Sequence, residues 1–312
     1  MIPRSTPKAV VPAPWKAQSE RSHVLVMRFM VWLSLCLGRR LSRVVLYGIA
    51  AYFFMFGGSA KRASKDYLRR VLRQMPGAAH GFRHVLAFAT VIHDRIYLLK
   101  GKFSVFEIEI EQLGVHALAQ DLAQGTPLLL LGGHLGSFEL LRALGEKTGI
   151  QVSMMMYQEN AAKLNATLAA LRPDPAPRVI SLQHVNAMLL AKKDMAEGRV
   201  LGMLADRRLG GEPADTLDFL GAPALFPRNP FRLANILRCK IYFMTGLYLG
   251  GNRYAIHLVP LNDFSQPSNV SRSVQIAAAQ QAYVQALERF TTMAPYNWFN
   301  FFDFWDAPNK PR

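Results

Sequence analysis

In the stretch Leu128-Leu-Leu-Leu-Gly-Gly-His134-Leu-Gly-Ser-Phe-Glu139, an imidazole follows an apolar run and a glycine pair, and a carboxylate comes five positions after it. An imidazole with an ordinary pKa near 6.5 can take a proton from an alcohol, and a carboxylate can orient it and stabilise the imidazolium that forms. The four leucines read as a central parallel strand buried on both faces. The glycines let the backbone turn sharply and let a substrate come close, so Gly133, Gly136 and Ser137 are expected to line the substrate site. His134 is then left at the carboxyl edge of the sheet, where open α/β folds place their sites. Glu139 falls in the first turn of the next helix, where the helix dipole favours its charge. From there it is expected to reach back to one ring nitrogen and leave the other as a free base. A second pair with this spacing, His116 and Asp121, has no strand or glycine turn before it and reads as a solvated helix face.

The frame for such a site is an alternation of strand-like and helix-like segments. Strands are expected over 103–111, 128–131, 151–157, 178–182 and 200–205, and helices over 115–122, 137–147, 161–171 and 185–197. The order predicts an α/β fold with a mostly parallel central sheet flanked by helices and joined by right-handed crossovers. Segments 240–249 and 254–259 flank Gly250-Gly251-Asn252, a hairpin signal, and a long helix over 274–290 precedes an aromatic tail. No internal repeat is evident. The simplest division is a basic arm over 1–20, a helical membrane-proximal region over 21–100 and an α/β domain over 101–312.

The N-terminal region has its own character. Two apolar segments, 24–37 and 44–60, are at or below the length that spans a bilayer, so a hydrophobic helical hairpin at the interface is expected. Arg39, Arg40 and Arg43 lie between them, and Lys61, Arg62, Lys65, Arg69, Arg70 and Arg73 follow, as suits a surface resting on anionic lipid. The whole chain of 312 residues carries 37 Lys+Arg against 21 Asp+Glu, a net charge of +16, yet is 51% hydrophobic. It is too apolar for a disordered basic tail, and no Lys/Arg-rich module with interleaved aromatics points to nucleic acid. Cys36 and Cys239 are too few for a disulfide framework.

Nucleotide-binding glycine loops, zinc-protease helices and the serine-hydrolase elbow are absent from the sequence. What is present resembles the lysophospholipid acyltransferase-like superfamily, in particular its lipid A late acyltransferase branch. The carrying residues are the His134-x4-Glu139 block, the strand ending in Asp206-Arg207-Arg208, and the segment Phe219-Leu-Gly221 through Phe226-Pro227-Arg-Asn-Pro230 to Leu233-Ala234. The tail from Tyr296 to Trp305 resembles the ending of stand-alone members associated with aryl-polyene pigment pathways. On physical grounds so many aromatics either pack on the sheet or form an interfacial belt, and packing is the expectation.

The resemblance implies an O-acyltransferase without cofactor or metal. His134 would act as general base on an acceptor hydroxyl, which attacks the thioester of acyl carrier protein or coenzyme A, and Glu139 would orient the base. Asp206 with Arg207 reads either as part of the substrate wall or as a surface ion pair at a strand end, and Arg228 and Arg232 either hold phosphate or carrier protein or are solvated cations. The implied partners are anionic membrane lipid, the acyl thioester and a lipid-like hydroxyl acceptor, with no nucleic acid. The implied place is the cytoplasmic face of a bacterial inner membrane. A non-catalytic protein binding acyl chains or acyl carrier protein at the membrane is the alternative. Two departures bear on the acceptor: Gln158 stands where the family often has Arg, and Asn229 stands where Gly is usual.

Overall fold

The computed structural model describes residues 24–147, 149–157, 178–208 and 212–305. The expected basic arm over 1–20, the helix over 161–171 and Gln158 lie outside the described residues. One seven-stranded sheet has the order β1-β9-β8-β2-β5-β3-β4. Its strands are β1 (Glu107–Ile110), β2 (Leu128–Gly132), β3 (Val152–Met156), β4 (Val179–Ser181), β5 (Val200–Leu204), β8 (Lys240–Gly250) and β9 (Arg253–Asp263). Neighbours are parallel except β8 and β9, which form an antiparallel hairpin. Gly250 and Gly251 turn that hairpin at φ 101° and 60°, a region where a side chain is strained. The mostly parallel α/β sheet thus stands as expected.

β2 is the middle strand, and all five of its residues are buried. Leu129 and Leu131 enter one apolar cluster while Leu128 and Leu130 enter another, as the two-residue side-chain period of a strand requires when helices cover both faces. The covering helices are α1 (Val24–Phe56), α2 (Gly58–Leu72), α3 (Ala78–Leu99), α4 (Gln112–Ala123), α5 (Phe138–Lys147), α6 (Ala187–Ala196), α7 (Asn229–Leu237) and α8 (Arg272–Met293). The hairpin of β6 (Ala214–Phe219) and β7 (Ala222–Pro227), like α7, has no counterpart in the expected series. The first strand is also shorter than expected, because residues 103–105 form a 3₁₀ turn. His116 is exposed on α4, but Asp121 is buried, and its carboxylate binds Lys240 and the Tyr242 hydroxyl. The solvated-face reading fails for Asp121.

The first N-terminal apolar segment, 24–37, lies in α1, and the second, 44–60, runs from α1 across Gly57 into α2; between them Gly38, with φ/ψ of 74°/168°, is not helical. α2 then leaves α1 at a bend of 94°. No single helix among the described residues is long and apolar enough to cross a membrane. On α1 the side chains separate by helical period. Ser34, Arg39, Ser42, Leu46 and Ala50 are buried, while Leu37, Leu41, Val44, Val45, Tyr52, Phe53, Met55 and Phe56 are exposed. α2 has the complementary pattern, with Ala63, Ser64, Tyr67, Leu68 and Val71 buried and Lys61, Arg62, Lys65 and Arg69 outward. Arg39 departs from its expected place in a lipid-facing cluster. Its guanidinium is buried and forms a bidentate pair with Asp94 of α3, both contacts 2.7 Å, because a charge removed from water needs a fully matched partner.

Candidate active site

His134 follows β2 by two residues, and Asp206 follows β5 by two. Because these strands are parallel and pair Gly132 with Leu204, extending each strand by two residues brings 134 beside 206. There the His134 Nδ1 is 2.8 Å from Asp206 Oδ1, and the His134 backbone N–H donates to Oδ2 at 2.8 Å. The indole Nε1–H of Trp298 donates to the same Oδ2 at 3.0 Å. An ionised carboxylate only accepts hydrogen bonds, so Nδ1 carries the ring proton and Nε2 keeps its lone pair. The His134 side chain is 31% exposed and that of Asp206 is 1% exposed, which leaves the imidazole reachable and its partner sealed.

The electrostatics fit this assignment. Burial opposes charge on Asp206, but the attraction and hydrogen bonds of His134, with the charge of Arg207, outweigh it and hold the carboxyl well below the usual range. Burial and then Arg207 push the imidazole below its ordinary value, against the opposite pull of Asp206. The ring is therefore neutral near pH 7, the state a general base requires.

The glycines around His134 answer to close contacts. A Cβ on Gly133 would meet Leu287 at 3.1 Å and the Asp206 carboxyl at 3.4 Å, so a side chain there would press on the pair. Gly136, at φ 69°, passes so near β8 that a Cβ would lie 2.2 Å from the Gly246 carbonyl oxygen. Ser137 has a structural task. Its Oγ accepts the Leu140 N–H at 3.1 Å and so caps the start of α5.

Glu139 is the main correction within the site. The ring nitrogen expected to meet it meets Asp206 instead, and the Glu139 carboxylate is buried and accepts a hydrogen bond from Arg95 Nε of α3 at 3.2 Å. Glu139 thereby ties α5 to α3. Arg207 donates to the Phe299 carbonyl at 3.0 Å and lies over the Phe302 ring. Arg228 pairs with Asp215, its Nε at 2.7 Å, and Arg232 is exposed on α7. No hydrogen bond among the described residues joins either to His134. Asn229 and Tyr157 converge on Glu212, which accepts from the Tyr157 hydroxyl and from the Asn229 amide at 3.4 Å.

The aromatic tail packs as expected and also builds the site. Phe299 N–H donates to the His134 carbonyl at 2.8 Å, and Gly136 N–H donates to the Asn297 carbonyl at 2.9 Å, so the tail runs antiparallel to the loop that carries His134. Trp298 is 1% exposed and wedged edge-on against Tyr67, Phe219 and Phe304. Sequence reasoning missed Trp298 and Arg95, and it gave Asp206 the role of a wall or of a surface ion pair. The signal available for Asp206 was positional: an acid two residues beyond a buried strand, like His134 two residues beyond its own.

Among the described residues no cluster of three or more His, Cys, Asp or Glu could hold a metal ion. No curated protein matches the chain. Residues 18–306, nearly the whole chain and every element of the site just described, match the family of bacterial lipid A biosynthesis acyltransferases, and the protein belongs to that family of acyl-transferring enzymes.

Proposed function

We propose that the protein transfers an acyl group from the thioester of acyl carrier protein or coenzyme A to a hydroxyl of a lipid or glycolipid. The observation that carries this reading is the imidazole of His134, held at Nδ1 by a sealed carboxylate with Nε2 left as the base. The acceptor oxygen attacks the thioester carbonyl carbon while its proton passes to Nε2. The tetrahedral intermediate collapses with loss of the thiolate, which takes the proton back from the imidazolium. Asp206 stabilises the imidazolium, and the positive charge of Arg207 beside the ring favours the oxyanion. Glu139 acts through Arg95 as a clasp on the loop. The resemblance of the tail to pigment-pathway members supports a fatty or polyene acyl group as cargo.

The exposed apolar face of α1 and the outward cations of α2 support seating on the cytoplasmic face of a bacterial inner membrane. Lipid mass spectrometry of cells carrying the native chain or His134→Ala tests the function. The expected outcome is an acylated lipid present only with the native chain. Identical lipids in both strains, together with stable binding of acyl carrier protein by the variant, would favour a non-catalytic acyl-binding protein instead.

A further inference from the structure

We propose that Trp298 is a positioning residue for acyl transfer, whose indole N–H fixes the orientation of the Asp206 carboxylate and through it that of the His134 ring. The proposal rests on the reading of His134 as the base. Oδ2 of Asp206 takes two donors, the His134 backbone N–H at 2.8 Å and the Trp298 Nε1–H at 3.0 Å. Oδ1 is thereby turned toward Nδ1 of the ring at 2.8 Å. With Oδ2 held from two directions, the carboxylate, itself sealed from water, cannot swing away without breaking charge-assisted hydrogen bonds.

The indole is itself fixed. Its ring is caged by Tyr67, Phe219 and Phe304, its carbonyl accepts a hydrogen bond from His84 Nε2 at 2.9 Å, and its backbone bridges to Leu135 beside the catalytic residue. A phenylalanine could fill an apolar cage of this kind. The one polar atom of the tryptophan is the part that reaches Asp206. The ionisable groups around the pair are Arg207 and Tyr283, whose hydroxyl donates to the Gly132 carbonyl, and those around the indole are Tyr67 and His84.

The test is the titration of the His134 imidazole by NMR in the full chain with isotope-labelled histidine, in detergent micelles, with the His134→Gln chain assigning the signal. Trp298→Phe removes the N–H, and benzothienylalanine at 298 removes it while keeping the indole shape, so a folding defect in the first variant does not obscure the result. Without the donor, Oδ1 is no longer held toward Nδ1, and the carboxylate stabilises the imidazolium less well. The His134 midpoint is expected to fall by about half a unit to one unit, less than in Asp206→Asn, and a rise overturns the proposal. An unchanged midpoint in both Trp298 variants, with Asp206→Asn shifting it, overturns the proposal, and so does an unmoved midpoint in Asp206→Asn. Unaltered cellular lipids with His134→Gln would instead overturn the acyl-transfer reading and leave the titration result standing.

Discussion

His134 and Asp206 occupy matching places on adjacent parallel strands, each two residues past the register pair Gly132 and Leu204, though 72 residues separate them in the chain. Asp206, and not Glu139, holds the ring, so the two acids are expected to fail differently. Asp206→Asn should lower kcat by about 10² to 10⁴, the usual worth of acid–base catalysis. Glu139→Gln should lower it less and lower Tm more, because it loosens a buried tie between helices. Arg95→Met should shift both quantities in the same direction as Glu139→Gln, and the double variant should lose less than the sum of the two single losses. Steady-state transfer rates and melting curves on the same preparations check the ordering.

Burial makes the Arg39–Asp94 pair sensitive to the loss of one partner. Asp94 also accepts the Tyr254 hydroxyl at 2.7 Å, so one carboxylate serves α1, α3 and β9. Asp94→Ala leaves the guanidinium buried without its counter-charge and should cost about 3–5 kcal/mol in denaturant unfolding. Adding Arg39→Met should recover part of that loss.

Stability should fall on acidification through His84. This fully buried ring donates from Nε2 to the Trp298 carbonyl and accepts at Nδ1 from the Ser64 hydroxyl, so it is held neutral, and burial lowers its pKa to about 4. The unfolded chain binds a proton near pH 6.5, the folded chain only near 4. The stabilisation is therefore complete above about pH 6.5 and is lost as pH falls from there toward about 4, with a total of about 3 kcal/mol. His84→Gln should flatten this dependence, as unfolding curves at about pH 7 and about pH 4.5 would show.

The exposed face of α1 should govern association with lipid. Phe53 and Phe56 are 52% and 67% exposed. Removing each large apolar side chain from contact with acyl chains should cost about 1.5–3 kcal/mol, so Phe53→Ser and Phe56→Ser should each weaken vesicle binding about tenfold or more. Co-sedimentation with vesicles containing anionic phospholipid measures this. Unchanged binding of the double variant would exclude this face as the contact.

Much of the frame is legible in the sequence because buried parallel strands and helix periods are local signals. The leucines of 128–131, the Gly250-Gly251 turn and the long final helix all fall where their patterns indicate. The partner of His134 is not local. Spacing along the chain favours Glu139, whereas the register between β2 and β5 brings in Asp206, and register is fixed only when the whole sheet assembles. Trp298 and Arg95 are hidden for the same reason, since each reaches the site across an interface between elements distant in sequence. Arg39 reads as one of a run of cations, and only the fold supplies the acid that buries it.

Asp94 and Arg95 are consecutive on α3, about 100° apart around the helix. One holds Arg39 of α1 and the other holds Glu139 at the start of α5. If α1 lies in the membrane surface as proposed, the distance from that surface to the imidazole is set by one short rigid spacer. The helix that would meet lipid and the helix that begins beside the His134 loop are then tied to the same turn of α3.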